Sequence, residues 1–306
     1  MLRYTAGRFV QAAVAIFGVL TIVFVVMHLS GDPTLLLVPQ GASAEMVAQL
    51  RHQLGFDRSI WVQYFDYLDG LLHLDFGVSV VQRLPALDIV MSRLPYTLML
   101  AAGALVVAIG VGIPIGIVMA LRRGGWLEKI LAAVVVTGQS VPTFLSGILL
   151  ILVFAVLLRW LPTSGASDWK ALVMPSVALG GLAMATFARM TRIAIIDELS
   201  KDYVTAARAR GLSMAGVVLR HVLRNAAVPV ITIAALEIGN LLAGAVIIET
   251  VFAWPGIGQL AILSIQSRDF LVVQVIVLII SFAYVATSVL ADFVYAAVDP
   301  RIRLAR

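Results

Sequence analysis

Long apolar stretches, each sufficient to cross a lipid bilayer, constrain this sequence more than any single motif. We place six of them, at residues 9–29, 96–121, 130–158, 174–196, 226–251 and 272–296. A helix that crosses the hydrocarbon core needs about 20 apolar residues, at a rise of about 1.5 Å per residue. Only 13% of the residues are charged, whereas a soluble domain has about 25%. The sequence therefore predicts an all-α, polytopic membrane protein with six transmembrane helices.

Lysine and arginine are divided unequally between the loops on the two sides of the predicted bundle. One set of loops and termini holds Arg3, Arg8, Arg122, Arg123, Lys129, the basic residues of 197–225, Arg301, Arg303 and Arg306. The opposite short loops hold Arg159, Lys170 and Arg268. Because cytoplasmic loops carry the excess of basic residues, we expect both termini and the 197–225 loop to be cytoplasmic.

The segment between the first two spans, residues 30–95, is long and acidic. Residues 45–54 have helical spacing, and residues 61–72 form an amphipathic pattern rich in aromatic residues. These patterns fit helices at the outer membrane interface, where Trp and Tyr are favoured; the alternative is a loop folded onto the bundle. We divide the chain into 1–95, the first span with its extracytoplasmic segment, and 96–306, a five-helix core that includes the 197–225 loop.

The 197–225 loop is basic and far longer than a change of direction requires. Residues 203–210 are rich in alanine and contain no helix breaker, which predicts a short helix. Gly211 can end this helix, and Ser213 can cap a second helix predicted at 214–223. The loop has two interpretations: a surface that receives a partner protein between two spans, or interfacial helices whose basic residues bind lipid phosphates.

Several motifs of this chain resemble one family. The run Thr205-Ala206-Ala207-Arg208-Ala209-Arg210-Gly211 is similar to the Glu-Ala-Ala loop of ABC importer permeases. Further landmarks resemble the dipeptide/oligopeptide/nickel branch: Gly31-Asp32-Pro33, Arg93-Leu94-Pro95, Ser140-Val141-Pro142-Thr143-Phe144, Trp254-Pro255-Gly256-Ile257-Gly258 and Asp299-Pro300-Arg301. The chain departs from the general pattern at Thr205, where Glu is usual, and at Arg224, where Pro is usual. It most resembles the first of the branch's two permease subunits.

The resemblance implies the type I ABC importer permease fold and a place in the inner membrane of a prokaryote. It implies a heterodimer with a second homologous permease, two cytoplasmic ATPase subunits or domains, and an extracytoplasmic binding protein that delivers dipeptides, oligopeptides or similar small solutes. Contact with the ATPase is then expected at Tyr203, Thr205, Ala206, Ala207, Arg210, Gly211, Leu212, Ser213, Arg220 and His221. ATP and Mg would be bound by the partner ATPases and no cofactor by this chain, whose three lysines lack the preceding glycine of a phosphate-binding loop.

Polar residues in and after the fifth span are candidates for the translocation path or its outer gate. These are Glu237, Asn240, Glu249, Trp254, Pro255 and Gly256. Charged groups within spans are costly and mark functional positions by default, while proline and glycine after Trp254 favour a tight turn. The alternatives are a structural pair for Glu237 and an interfacial anchor for Trp254.

The sequence has no arrangement that indicates an enzyme, a metal site or nucleic-acid binding. Its histidines, His28, His52, His73 and His221, lack metal-ligand spacing, and there is no cysteine. Two other functions compete with that of an importer subunit: a secondary transporter or channel that works without an ATPase, and a non-transporting membrane assembly factor. Neither of them needs a surface that docks an ATPase.

Overall fold

The computed structural model describes residues 2–29, 43–53 and 55–298. Its helices in chain order are α1 (Leu2–Leu29), α2 (Ala44–Gln53), α3 (Ile60–Leu72), α4 (Ala86–Leu121), α5 (Trp126–Ser140), α6 (Thr143–Leu150), α7 (Lys170–Leu199), α8 (Asp202–Ala209), α9 (Met214–Val217), α10 (Leu223–Val251), α11 (Ile257–Gln266) and α12 (Phe270–Val298). Two π-helical stretches, Ile151–Leu157 and Val218–Val222, extend α6 and join α9 to α10. The motifs at 31–33 and 299–301 lie outside the described residues.

Within the described ranges, four helices are long and apolar enough to cross a membrane. They are Ala86–Leu121, Lys170–Leu199, Met214–Val251 and Phe270–Ala291. The bent pair Trp126–Ser140 and Thr143–Leu157 raises the number to five if the pair forms one span, and the apolar part of α1, Ala13–Val26, is shorter. The predicted class of all-α polytopic membrane protein is confirmed, and the number of six spans stays a prediction.

The third predicted span, 130–158, is not one continuous helix. It is bent by 103° between α5 and α6. Val141 at the break is extended, with φ −85° and ψ 124°, and Pro142 follows it. Proline disfavours the helical conformation of the preceding residue and has no N–H to donate, so the helix ends before Pro142 and restarts at Thr143. The sequence pattern contains this Pro142 motif but does not by itself predict the break.

The second helix predicted in the 197–225 loop begins at Met214 as predicted, but it does not end at residue 223. The first, predicted at 203–210, is confirmed as α8, whereas the second continues from α9 into α10 as one helix, Met214–Val251. Arg220 and Arg224 are polar but do not break a helix, because arginine has a high helix propensity. The polar residues therefore mark the end of the apolar part of this helix, whereas the helix itself begins earlier in the chain, at Met214.

Contacts between residues divide the chain into two compact units. This division does not test the predicted domain boundary at residue 95, which stays a prediction. One unit comprises Met1–Pro95 and Gly256–Val285, the other Tyr96–Pro255 and Ala286–Arg306. In the first unit, Ile89, Val90 and Val272 are among the buried core residues. The predicted helices at 45–54 and 61–72 are confirmed as α2 and α3, and α3 hydrogen-bonds to α1 through Tyr64 Oη and Thr21 Oγ1 at 2.7 Å.

In the second unit, α4 and α7 approach each other closely enough for their backbones to touch. A Cβ atom placed on Gly112 or Gly116 would lie 2.5 Å from the carbonyl oxygen of Met184 or Ala188 respectively. A Cβ on Gly180 would lie 2.5 Å from the carbonyl oxygen of Ala104. Small residues allow such close packing of helices in membranes. Any larger residue at these three positions would have to separate the two helices.

Candidate functional site

The 197–225 loop is anchored to the ends of several long helices by an apolar cluster. Val204 on α8 is buried and packs with Ile195 of α7 and Ala120 of α4. The start of the following helix contributes Val217 and Val222 to the same cluster, and both are fully buried. Burial of such side chains stabilises their association by roughly 25 cal/mol per Å² of apolar surface. The short helix α8 is therefore fixed to α4, α7 and α10.

The opposite face of α8 and the turn after it are exposed. Of the ten residues expected to contact a partner, Tyr203 and Ala207 are half-buried beside the apolar cluster. The other eight are exposed: Thr205, Ala206, Arg210, Gly211, Leu212, Ser213, Arg220 and His221. The structure thus brings the predicted contact residues to one end of the second unit, on a surface of small residues flanked by arginine.

The turn after α8 has the caps that the sequence predicts. Gly211 has a φ of +86°, in the left-handed region that favours glycine, and its N–H donates to the carbonyl oxygen of Arg208 at 2.9 Å. Ser213 accepts a hydrogen bond from the N–H of Gly216 at 3.3 Å and caps α9. A Cβ on Gly211 would meet no atom within 4 Å, because this position opens onto free space.

A carboxylate that the sequence analysis did not single out ties the 197–225 loop together. Glu198, at the end of α7, is buried and accepts hydrogen bonds from Tyr203 Oη at 2.7 Å, from Asn225 Nδ2 at 3.3 Å and from Lys201 Nζ. Its partners lie on α8, at the start of α10 and in the turn between α7 and α8. The available signal was an acidic residue at the end of an apolar span.

Glu198 also affects the pKa values of two of its partners. Its hydrogen bond raises the pKa of the Lys201 ammonium above the ordinary value. Burial, and secondly the bond to Glu198, raise the pKa of the Tyr203 phenol. Both groups therefore remain protonated and continue to donate at neutral pH.

A second charged contact fixes α7 to the start of α5. Arg192 Nε donates to Glu128 Oε1 at 2.7 Å, and Arg192 Nη2 donates to the same oxygen. The other oxygen of Glu128 accepts from the N–H of Gly124 at 2.6 Å. Glu128 and Arg192 are 64 residues apart, so no local pattern could have paired them.

The polar residues predicted along α10 are only partly brought together. Asn240 Nδ2 donates to Glu237 Oε2 at 3.5 Å, so these two side chains share a face of the helix. Glu249, about three turns further on, is fully buried and accepts a hydrogen bond from Thr97 Oγ1 at 2.6 Å. Glu249 therefore joins α10 to α4. The structure does not place it beside Glu237.

Trp254, in the turn after α10, is packed inside the second unit. Trp254 is 1% exposed, and its indole Nε1 donates to the carbonyl oxygen of Tyr96 at 2.9 Å. This burial disfavours the interfacial-anchor interpretation, in which the ring would lie at the surface. Pro255 is half-buried, and Gly256 immediately precedes α11. In the part of the chain that the structure describes, no group of three or more His, Asp or Glu side chains could hold a metal ion.

Comparison with known proteins identifies the family. Residues 112–304 match the family described as "Binding-protein-dependent transport system inner membrane component". The chain belongs to this family. Residues 1–101 match the corresponding N-terminal family. The motifs at the 197–225 loop had predicted this membership, which is thereby confirmed.

Relatives of known function match nearly the whole length of the chain. The chain is 40% identical over 304 residues, 99% of both proteins, to the glutathione transport system permease protein GsiC of Escherichia coli (strain K12) and of Shigella flexneri serotype 5b. Two crystal structures of the inward-facing MetNI methionine ABC transporter have the same fold, with TM-scores of 0.56 and 0.58 at 18% and 20% identity. Each match covers 69% of this chain and 96% of the solved chain.

These findings establish the general role of the chain. It is a permease subunit of an ABC importer, and it passes through the inner membrane several times. The hydrolysis of ATP in such a system is carried out by separate ATPase subunits, and the family also implies a substrate-binding protein as partner. The permease itself is not an enzyme.

Proposed function

We propose that this chain forms half of the translocation path for small peptides, and that its 197–225 loop receives the movement of a cytoplasmic ATPase. One observation supports this most: α8 presents small, exposed residues outward, while its buried face is fixed to three long helices. Small side chains allow another protein to approach the helix backbone closely. A partner that displaces α8 must therefore displace α7 and α10 with it.

The helix that begins in the 197–225 loop extends to the proposed translocation path. Glu198 joins α8 to the end of α7 and to Asn225 at the start of α10. Met214–Val251 is one helix, which contains the π-helical stretch Val218–Val222 and Pro229 but no break between separate helices. Glu237 and Asn240 lie on this helix and move with it. In the proposed function, this is how closure of the ATPases on ATP changes the accessibility of the path.

The proposed assembly contains more chains than this one. We propose six spans in the lipid bilayer with both termini cytoplasmic, and a heterodimer with a second homologous permease. Two cytoplasmic ATPase subunits or domains would bind ATP and Mg, and an extracytoplasmic binding protein would deliver the solute. The distribution of lysine and arginine supports this orientation. The whole-length similarity to permeases named for glutathione transport supports a small peptide as the solute.

Reconstitution tests the proposed function directly. Proteoliposomes that contain this chain, the second permease, the ATPases and the binding protein should take up glutathione only when ATP is supplied. Omission of the ATPases should abolish uptake. If the purified chain alone moved solute across the membrane, the proposal would be wrong and the chain would be a secondary transporter or channel.

Glu237 is proposed to meet the ammonium group of the transported peptide. It is half-buried on α10, where a carboxylate has a high cost unless it serves a ligand or a partner. Glu237→Gln should reduce uptake of peptides with a free amino terminus by roughly tenfold, the equivalent of one charged contact. Uptake of N-acetylated peptides should change by less than about twofold. Equal losses for both substrates would remove Glu237 from the path.

A further inference from the structure

The break between α5 and α6 opens onto a cavity that no motif predicted. Its volume is about 510 Å³, within the range of about 300–1,000 Å³ that is typical of small-molecule sites. Its walls come from the end of α5, the start of α6 and the facing side of α7, including Gln139, Thr143 and Gly181. The cavity therefore lies where the helix backbone is interrupted.

A helix that is interrupted within a membrane leaves backbone groups without hydrogen-bond partners in the helix. The last carbonyl groups of α5 have no partner within the helix, and Pro142 has no N–H to donate to them. Such backbone is tolerated at membrane depth where it is covered by protein or lines a water-filled cavity. In many secondary transporters, a different class of membrane protein, solute sites are formed by discontinuous helices. The break and the cavity beside it thus indicate a place for solute.

Two uncharged polar side chains of this cavity have no hydrogen-bond partner among the described residues. They are Gln139 and Thr143, both half-buried and both lining the cavity. In contrast, Ser140 Oγ donates to the carbonyl oxygen of Val136 at 3.0 Å, and Ser146 Oγ donates to that of Pro142 at 3.5 Å. The polar groups of Gln139 and Thr143 can therefore pair with water or with a ligand in the cavity.

The chemistry of the lining selects one part of a peptide. No lysine, arginine, aspartate or glutamate is among the described residues that line the cavity. The amide of Gln139 offers a donor and an acceptor, the complement of the C=O and N–H of a peptide bond, and the hydroxyl of Thr143 can do either. Uncharged hydrogen bonds also hold a ligand weakly enough to release it, which a translocation path requires.

We propose that this cavity binds the peptide-bond segment of the transported solute through Gln139 and Thr143. The inference rests on the proposed function, since it names the part of the solute that this subunit recognises. The charged amino terminus is recognised elsewhere, at Glu237. The two contacts together would distinguish peptides from amino acids, which have no peptide bond.

Filling the cavity gives the first test. A Cβ on Gly181 would meet no atom within 4 Å, so a leucine side chain at this position extends into the cavity. In the complete transporter, Gly181→Leu should lower uptake of S-methylglutathione by about tenfold, the loss expected when two neutral hydrogen bonds to the peptide bond cannot form. Gly110→Leu is the matched control, because Gly110 is exposed on α4 and a Cβ there also meets no atom within 4 Å.

Chemical labelling tests occupancy without relying on transport. The chain has no cysteine, so Gln139→Cys and Thr143→Cys each introduce the single thiol of this subunit. In the complete transporter with its other chains free of cysteine, a water-soluble methanethiosulfonate should modify both positions. Saturating S-methylglutathione should slow the modification at least about threefold if it occupies the cavity. Ile148→Cys, on the exposed side of α6 outside the cavity, should be unaffected by this peptide.

The outcomes separate this inference from the proposed function. If modification at residues 139 and 143 is unchanged by the peptide, the cavity is not a solute site, whatever drives uptake. If the peptide protects both thiols but uptake proceeds without the ATPases, the cavity binds solute and the proposed function is wrong. The expected result is a larger loss of uptake for Gly181→Leu than for Gly110→Leu, together with protection of both thiols by the peptide.

Discussion

Replacing Gly211 with tryptophan is expected to lower ATP-dependent uptake by roughly 30-fold, which is the effect of losing about 2 kcal/mol at the centre of a protein interface. Gly211 lies at the exposed end of α8 and faces open space, so the large side chain would extend into the volume that the ATPase is proposed to occupy. Uptake into proteoliposomes and co-purification of the ATPases measure the effect. The amount of Gly211→Trp protein inserted in the membrane should match that of the parent.

Two control variants separate this steric effect from backbone strain. Gly211 has a φ of +86°, and asparagine tolerates the left-handed conformation better than other side chains do. Gly211→Asn should therefore retain most of the uptake. Gly124 is also exposed, with a φ of +80° and no atom within 4 Å of its Cβ position, so Gly124→Trp introduces similar strain outside the 197–225 loop. Equal losses in Gly211→Trp and Gly124→Trp would contradict the proposed docking surface.

Glu198→Ala is expected to uncouple ATP hydrolysis from uptake. The substitution leaves Lys201, Tyr203 and Asn225 without their common acceptor, and α8 loses its polar connection to α7 and α10. The number of solute molecules taken up per ATP hydrolysed should fall by roughly tenfold, the equivalent of about 1.4 kcal/mol. ATP hydrolysis stimulated by the binding protein should persist, because the exposed face of α8 is unchanged.

The neighbouring acidic residue provides a matched control for Glu198. Asp197 is largely exposed, with its carboxylate 3.8 Å from Lys201 Nζ, and exposed ion pairs contribute little to stability. Asp197→Ala should therefore leave the coupling ratio near that of the parent. Glu198→Gln retains an acceptor oxygen for Tyr203 and should lie between the two. If Glu198→Ala lowered uptake and ATP hydrolysis in parallel, Glu198 would stabilise the fold without transmitting movement.

Features that depend on nearby residues were predictable from the sequence. The alanine-rich run predicts α8, and the ends at Gly211 and Ser213 follow from conformational preferences that act within a few residues. The break before Pro142 has the same local origin, because proline restricts the residue before it. The polar residues Arg220 and Arg224 predict the end of a helix and not the continuity of Met214–Val251, because polarity and helix propensity are separate properties.

Contacts between distant parts of the chain were beyond the sequence patterns. Glu128 and Arg192 meet across 64 residues, and Thr97 and Glu249 meet across 152. Whether such carboxylates face a path or another helix depends on the rotation of each helix about its axis, which the packing of all neighbours determines. For the same reason, the cavity beside Gln139 appears only when α7 is placed against the break.

Because glycine allows the backbones of α4 and α7 to touch, these two helices form one rigid pair. The carbonyl oxygens of Met184 and Ala188 fill the space that a side chain would need at Gly112 and Gly116. Sliding of either helix along the other would bring these oxygens against larger side chains, which a close-packed interior resists. In the proposed function, a small tilt imposed on α7 where it meets α8 is therefore expected to reach Thr97 on α4 and, through the hydrogen bond of Thr97, Glu249 near the end of α10.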